Sequence, residues 1–409
     1  MKSLAVDARA EAGVLLDPGY YGRFGYPHEE WARLRRESPV SLVEPEQGIP
    51  YWAITKLEDI LQISTQPDKF TNRPRFKASV GNEEIAQART LSSMDPPEHR
   101  VYRELVSRHF TPRALTKLRE SIETVTEEIM GGLDEESFDF VDRVAAPLPI
   151  LIIAWLLDLP REDWNDIYAM THAMTGFADG EYQREGETVE QTIARGRSEI
   201  YGYFSDIAKQ RRARPGTDLV SLLATARIDG APLPDAELMA YYLILIVAGN
   251  ETTRNAVSGG LLSFLEVPSE WDRLRRKPDL MGAAVEEILR FTSPVIHHAR
   301  TSHVDLNLRG ARIRSGDTLA LFYPSANRDE EVFEAPFEFR IDRRPHPHVA
   351  FGVGEHVCLG AHLARIEIEL VFRHLLSRVE EMEATAPVER LASANVGGIK
   401  SLPVRMRFR

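Results

Sequence analysis

Cysteine is almost missing from this sequence, in which Cys358 is the single thiol among 409 residues. One cysteine cannot form an intrachain disulfide framework or a zinc site built on cysteine pairs. A chain so poor in cysteine suits a reducing compartment, so we expect a cytoplasmic protein. Any chemistry that Cys358 performs must proceed without a second thiol.

Long hydrophobic runs and an excess of positive charge are also lacking. The two most apolar stretches, residues 145–157 and 238–249, are shorter than the ~20 residues that a membrane-spanning helix needs. Charged residues interrupt the first sixteen residues, so we expect neither a signal peptide nor a membrane anchor. With 50 Lys and Arg against 62 Asp and Glu, the formal net charge is -12, which makes nucleic acid a poor partner.

Helical periodicity dominates the rest of the chain. The strongest predicted helices are residues 112–130, 187–213, 238–266, 270–290 and 361–379. Short β-branched stretches occur at two places, 40–54 and 303–321. Because no repeat, low-complexity tract or Gly/Ser linker divides the chain, we predict one domain over residues 1–409, mainly α with a small β region.

The lone cysteine lies in a glycine-rich segment, residues 351–360, which reads Phe-Gly-Val-Gly-Glu-His-Val-Cys-Leu-Gly and precedes a predicted helix. The N-H groups and partial positive charge of a helix N-terminus favour the thiolate, which predicts a lowered pKa for Cys358. Such a thiolate suits nucleophilic attack or metal ligation. For an isolated cysteine, a buried and inert side chain is the alternative.

This segment resembles the cysteine-ligand loop of the cytochrome P450 haem-thiolate monooxygenases. The family pattern is matched at all seven specified positions, namely Phe351, Gly352, Gly354, His356, Cys358, Leu359 and Gly360. The resemblance implies the cytochrome P450 fold and haem b, with Cys358 as the axial ligand of the iron. It also implies that Phe351 shields the sulfur and that the backbone near Gly360 moderates its charge.

A second motif interrupts the apolar helix at residues 248–253, Ala-Gly-Asn-Glu-Thr-Thr. Gly249 weakens the helix and a threonine hydroxyl competes for backbone carbonyls, so we expect local opening of the helix. The alternative is a notch where another helix crosses. By resemblance, haem lies beside Ala248 and Gly249, Thr252 stabilises iron-bound dioxygen, and Glu251 helps to relay protons.

A third motif places Glu287 and Arg290 three residues apart on one predicted helix. Taken alone, such a pair is usually solvated. By resemblance it matches the Glu-x-x-Arg ion pair of the family, which pins an irregular segment behind the haem. The usual third cation of that segment is missing here, so Arg340 or Arg343 is expected to substitute.

Four basic residues are expected to neutralise the two haem propionates. Alone, a histidine at a helix start is more often a surface or capping residue than a ligand. In the family, a His-x-x-x-Arg pair, an arginine after the Glu-x-x-Arg helix and the histidine two before the cysteine bind the propionates. Here these are His99, Arg103, Arg300 and His356.

The resemblance implies an O2-dependent monooxygenase that hydroxylates an apolar molecule such as a steroid, terpenoid, hydrocarbon or arene. Electrons would come from NAD(P)H through a separate ferredoxin and ferredoxin reductase, because one domain leaves no room for a flavin or iron-sulfur module. Basic residues such as Arg100, Arg103 and Arg113 could dock the ferredoxin. We expect a monomer. A peroxide-driven peroxygenase and a non-catalytic haem sensor or carrier are the alternatives.

The same resemblance implies a mostly aliphatic substrate pocket, with loops around 73–88 and 170–186 covering its entrance. The expected lining residues are Ile244, Val247, Ala248, Val295, Ile296 and His297. His297 either contacts a polar end of the substrate or is satisfied by the backbone.

Overall fold

A computed structural model describes residues 12–46, 48–78, 89–133, 136–175, 183–344 and 347–409. Helices form most of it. They are Pro18–Phe24 (α1), His28–Glu37 (α2), Leu57–Ser64 (α3), Glu98–Ser107 (α4), Pro112–Gly131 (α5), Pro147–Leu156 (α6), Trp164–Thr175 (α7), Val189–Ala213 (α8), Leu219–Thr225 (α9), Asp235–Glu266 (α10), Pro268–Arg276 (α11), Met281–Thr292 (α12), Tyr323–Ala326 (α13) and Ala361–Arg378 (α14).

The strands are short and lie mainly in the second half of the chain. They are Val40–Val43 (β1), Tyr51–Ile54 (β2), Phe70–Thr71 (β3), Ser137–Asp139 (β4), Arg227–Ile228 (β5), Ala231–Pro232 (β6), His297–Ser302 (β7), Leu306–Leu308 (β8), Ala311–Ile313 (β9), Thr318–Phe322 (β10), Val379–Ala384 (β11), Glu389–Arg390 (β12), Ile399–Ser401 (β13) and Pro403–Phe408 (β14). The main sheet has the order β1-β2-β10-β7-β3, in which only β2 and β10 run parallel.

The predicted fold class, mainly α with a small β region, is confirmed. Local signals explain several helix ends: the Thr111 hydroxyl accepts from the Ala114 N-H and Pro112 occupies the first turn of α5. Thr188 and Gln191 form a capping box at the start of α8. No helix among the described residues is both long enough and apolar enough to cross a bilayer.

The prediction of one helix over 270–290 is wrong. The structure divides this stretch into α11 and α12, with a short turn at Pro278–Leu280 between them. Proline lacks an N-H and disfavours helical geometry at the preceding residue, and Lys277 has φ -134° and ψ 72°. The prediction that strands occur at only two places is also wrong, because β11, β13 and β14 follow α14.

Helix α10 is the centre of the molecule. It packs against α6, α8, α12 and α14, and its buried side chains join the largest apolar core. Two smaller cores lie on either side of the main sheet. Away from its exposed ends, α10 is enclosed by other helices, so a residue in its middle that solvent reaches indicates an internal cavity.

Candidate active site

One face of α10 is open although the rest of the helix is buried. Ala248 is exposed, and Ile244, Val247, Gly249 and Thr252 are half-buried. Residues four apart share a helix face, so 244, 248 and 252 form one stripe. Since other helices pack around this part of α10, we infer that the stripe faces an internal cavity.

The helix does not open at this stripe, so the expected local opening is wrong. Residues 235–266 stay helical throughout, and the Thr252 hydroxyl donates to the Ala248 carbonyl at 2.9 Å. A crossing helix does not require Gly249, because a Cβ there would meet the Ile153 Cδ1 atom at 3.7 Å, an ordinary contact. The packing of α6 on α10 therefore leaves room for a small side chain at position 249.

The cysteine loop adopts a backbone shape that needs its glycines. Gly352 and Gly354 have φ values of 67° and 78°. A Cβ at Gly354 would lie 2.3 Å from the Ser64 carbonyl oxygen, so the loop packs by backbone against the end of α3. Within the loop, the Cys358 N-H donates to the Phe351 carbonyl at 2.9 Å, which places Phe351 beside the sulfur-bearing residue.

Solvent reaches the Cys358 side chain, although protein surrounds it on most sides. Burial raises the pKa of this thiol, while the Gly360 N-H and the charges of Arg103 and Arg365 act in the opposite direction. The predicted net lowering by the helix N-terminus is therefore wrong for the free thiol. A thiol that solvent reaches, under the influence of two guanidinium charges, is suited to ionise when a cation binds to it.

The four predicted propionate partners lie close together. The rings of His99 and His356 are 4.2 Å apart, and Arg103 donates to the Val357 carbonyl at 2.7 Å, next to Cys358. Burial and then the Arg300 charge lower the pKa of His356 to about 2. Such a crowded basic cluster favours binding of an anion.

The prediction missed His298, which lies beside this cluster. Burial, followed by the charges of Arg300 and His297, lowers its pKa to about 3. Its ring meets the Tyr323 ring edge-on at 5.7 Å, and Tyr323 is hydrogen-bonded to Arg300. Residues 298 and 300 of β7 point to the same side of a strand, and this alternation was the signal that could have found His298.

A buried ion triad stands behind the cysteine loop. Glu287 accepts two hydrogen bonds from Arg290, at 2.7 and 2.8 Å, and neither residue is exposed. Arg343 Nε lies 3.1 Å from Glu287 Oε2, whereas Arg340 contributes only its backbone N-H, at 2.9 Å. Of the two alternatives left by the sequence, Arg343 is the third cation.

The carboxylate of Glu251 is not on the open stripe. Glu251 is 1% exposed and its Oε2 accepts from Arg254 Nη2 at 2.8 Å. A second buried carboxyl, which the prediction missed, is Glu367 on α14, where Thr253 donates a hydrogen bond to it. Burial raises the pKa of Glu367 to about 8, so this group holds a proton at neutral pH.

The predicted substrate-pocket residues divide into two groups. Ile244, Val247 and Ala248 lie on or beside the open stripe, and Val295 is half-buried. Ile296 packs in the core. His297 is 1% exposed, its Nε2 accepts from the Ala78 N-H at 3.1 Å and its Nδ1 faces the Ala394 carbonyl at 3.0 Å. The backbone therefore satisfies His297. Of the predicted entrance loops, residues 79–88 and 176–182 lie outside the described residues.

The residues around this cavity fit haem. The Cys358 thiol, which solvent reaches, offers a ligand for the iron, and the stripe of α10 offers an apolar wall. The cluster of His99, Arg103, Arg300 and His356 can neutralise two carboxylates. Arg103 connects the basic cluster to the cysteine loop through its hydrogen bond to Val357.

Comparisons with known proteins agree with this geometry. A family model described as cytochrome P450 matches residues 133–394. A steroid C26-monooxygenase of Mycobacterium tuberculosis is 36% identical over 400 residues, which cover 94% of this chain and 90% of that protein. A linalool 8-monooxygenase of Pseudomonas putida is 34% identical over 389 residues, with 92% and 95% covered. A Mycobacterium marinum cytochrome P450, solved in complex with pseudoionone, has a TM-score of 0.90 at 31% identity over 99% of both chains.

Proposed function

The chain belongs to the cytochrome P450 family, and from that premise we infer that it is an O2-dependent monooxygenase of an apolar organic molecule. The observation that carries this inference is the Cys358 side chain, which solvent reaches at the start of α14. That helix packs against α10, which carries the open stripe with Thr252. The chain thus offers a candidate iron ligand next to a helix that packs against the hydroxyl-bearing stripe.

We propose that four basic residues and the cysteine hold haem b. Cys358 would ligate the iron as a thiolate, and the Gly360 N-H would moderate the charge on sulfur, as it already does for the free thiol. The basic cluster would bind the propionates, and His298 would add a fifth group on the side of Arg300. Bound haem supplies the iron at which O2 is reduced and one oxygen atom passes to the substrate.

The chain's own part in catalysis is the control of protons and water. The Thr252 hydroxyl lies on the open stripe and is oriented by its bond to Ala248, so it is placed to hold a proton in the cavity. Glu251 would need to leave Arg254 to relay protons from solvent. The buried carboxyl of Glu367 already carries a proton, and it is hydrogen-bonded to Thr253 on α10.

We propose that electrons come from NAD(P)H through a separate ferredoxin and reductase. Of the three arginines suggested for docking, Arg100 is paired with Glu355 and Arg103 is bonded to the loop. Arg113 is exposed at the start of α5 and is the best remaining contact for an acidic partner. We further propose that residues 1–409 act as a one-domain monomer in the cytoplasm.

The substrate we propose is a branched aliphatic molecule of the terpenoid or steroid side-chain type. The accessible residues of the stripe are Ile244, Val247 and Ala248, and Val295 is half-buried in the segment before β7. None of these four side chains can form a hydrogen bond. The two curated relatives act on a steroid and on linalool, and the solved relative holds pseudoionone. Because His297 is satisfied by the backbone, we do not assign it to the substrate.

A spectral binding screen tests this proposal. Substrates that displace water from the iron shift the haem absorption band, so we expect shifts with terpenoids or steroid side chains and none with sugars. Turnover with NADH, a ferredoxin and its reductase should follow the same order. Cys358→Ser should lose the thiolate-specific spectrum of the reduced carbon monoxide complex, and its retention would contradict the ligand assignment.

The choice of oxidant distinguishes a peroxygenase from a monooxygenase. Product formed with hydrogen peroxide alone, at a rate equal to that with the electron-transfer chain and O2, would overturn the monooxygenase proposal. Haem binding without product across the apolar panel would favour the sensor or carrier alternative instead.

A further inference from the structure

A second cavity, of about 330 Å³, lies farther along α10 than the candidate active site. We call it the rear cavity. Its wall on α10 includes Asn255, Gly259, Leu262 and Glu266, which continue the stripe of 244, 248 and 252 at helical spacing. Helices α1 and α12, β12 and the segment around Arg328 complete its lining.

Two glycines in the lining of the rear cavity pack tightly against Asn255 and Tyr26. A Cβ at Gly398 would lie 2.2 Å from Asn255 Oδ1, and a Cβ at Gly397 would lie 2.3 Å from the Tyr26 ring. The turn at 397–398 therefore contacts α10 and Tyr26, which follows α1, and leaves no room for a side chain at either glycine. A ligand in the rear cavity would not be in contact with the Cys358 loop.

Exposed aromatic rings mark the rear cavity. Phe24 is 68% exposed and Phe337 is 46% exposed, and they are the two aromatic residues among the exposed large hydrophobic side chains of the described chain. Both line this cavity, together with Phe291. Isolated apolar residues on a surface are ordinary, but two exposed rings that share one cavity mark a binding site.

The cavity also holds an arginine that forms no direct ion pair with an acid of the described chain. Arg328 is 3% exposed and stacks on Phe291, with its guanidinium carbon 4.5 Å from the ring centre. Its Nη2 donates to the Phe291 carbonyl at 2.8 Å, but Nε and Nη1 have no hydrogen-bond partner, and no described acid pairs with it. Burial and the Arg290 charge lower the pKa of Arg328 to about 9, so the guanidinium remains charged at neutral pH.

The charge of Glu287 raises the pKa of Arg328, but Glu287 is already paired with Arg290 and Arg343. Arg390 lines the same cavity and forms no ion pair with the described part of the chain, and His28 is kept neutral because burial and nearby arginines lower its pKa. Glu266 is the carboxylate among the described lining residues, and it is exposed at the end of α10. Both amide atoms of Asn255 also lack hydrogen-bond partners. A buried cation and a buried amide without partners are costly unless something else satisfies them.

We propose that the rear cavity binds a small aromatic monocarboxylate, with its ring between Phe24 and Phe337 and its carboxylate on Arg390. Arg328 lies deeper and supplies a second positive charge. A carboxylate provides a direct counter-ion, an aromatic body matches the exposed rings, and the volume has room for a bicyclic molecule. This proposal does not depend on the proposed function.

Calorimetric titration of 2-naphthoate into the haem-loaded protein tests the proposal, with 4-phenylimidazole present to block the iron and the space above it. We expect saturable one-site binding. Arg390→Gln should weaken it about 10-fold to 100-fold, since a charge-assisted hydrogen bond contributes roughly 1.5–3 kcal/mol and 1.4 kcal/mol is a factor of ten. Phe337→Ala should weaken it as well. Arg312→Gln, at an exposed arginine of β9 that does not line the cavity, is the matched control and should bind as the parent protein does.

Three outcomes would overturn the proposal. One is the absence of binding to the parent protein, and another is binding that 4-phenylimidazole abolishes, which would place the probe in the active site. The third is equal affinity of the parent and Arg390→Gln proteins. The neutral analogue 2-naphthalenemethanol should bind at least about tenfold more weakly than 2-naphthoate, because it cannot act as a counter-ion. Arg328→Lys adds a second test, and Arg390→Gln keeps the proposal testable if that buried variant does not fold.

Discussion

Replacing Arg343 with methionine removes one of two cations from a carboxylate that solvent does not reach. Glu287 is 0% exposed, and Arg343 Nε lies 3.1 and 3.2 Å from its two oxygens. The same guanidinium donates to the carbonyls of Glu334, Ala335 and Glu338. Methionine fills a similar volume but donates no hydrogen bond, so three carbonyls and one carboxylate lose a donor together.

The magnitude follows from burial. Removing one partner from a buried ion pair costs about 3–5 kcal/mol. Because Arg290 still binds Glu287 through two hydrogen bonds, we expect the lower end, about 3 kcal/mol. Arg340→Met is the matched control: its side chain is 38% exposed and lies 3.8 Å from Asp342, an ion pair worth about 0–1 kcal/mol. Its backbone N-H, which bonds Glu287, survives the substitution.

Urea unfolding of the haem-loaded proteins, followed by far-ultraviolet circular dichroism, measures the difference. Comparison is valid if all variants unfold in one transition with the same dependence on urea. We expect Arg343→Met to be less stable than Arg340→Met by about 2 kcal/mol or more, which is at least a ~25-fold change in the unfolding equilibrium. Equal stabilities of the two variants would refute the assignment of Arg343 as the third cation.

Three further changes have defined outcomes. Glu367→Gln should remove a pH dependence of the free energy of unfolding. The folded pKa of about 8 lies above that of an ordinary carboxyl, so the stability of the parent protein falls as pH rises from about 4.5 through 8. The stability of the variant should not fall in this way, and urea midpoints across that pH range measure the difference. Gly354→Ala should reduce haem retention, measured by transfer to apomyoglobin, because a Cβ would lie 2.3 Å from the Ser64 carbonyl at a φ of 78°. The Thr252→Ala variant should oxidise NADH but release hydrogen peroxide instead of hydroxylated product. An unchanged ratio of product to NADH consumed would mean that another group handles the proton.

Much of the fold followed from short-range signals. The Thr111-Pro112 start of α5 needed only a capping hydroxyl and a proline, both of which act within one helical turn. The break at Pro278 was equally local and could have been predicted, but the flanking amphipathic pattern on both sides masked it. Strand β11 reads Val-Glu-Glu-Met-Glu-Ala, and its charged composition gave no β signal because its stability comes from pairing with β14.

The site residues also divide into those that the sequence motifs predicted and those that depend on tertiary packing. Ligand and cluster residues followed from the motif, whereas the choice between Arg340 and Arg343 depended on which side chain of an irregular segment turns toward Glu287. The difference between His297 and His298 depended on the face of β7, which is set by pairing with β10 and not by composition. Glu367 had no motif, and its raised pKa arises from burial by helices distant in sequence.

A chain of hydrogen bonds connects the ion triad to the cysteine loop. Arg290 donates to the carbonyl of Asn327 at 2.8 Å, and the side-chain oxygen of Asn327 accepts from the Val349 N-H, also at 2.8 Å. Val349 opens the turn whose glycines bring Cys358 to the cavity, and the Gly352 N-H closes that turn on the Val349 carbonyl at 2.9 Å. A buried ion pair contributes little net stability compared with apolar packing, so its use here is better explained by position. Each link is a hydrogen bond with a fixed direction, and together they fix the position of the cysteine loop relative to α12, which apolar contacts of the same size would not do.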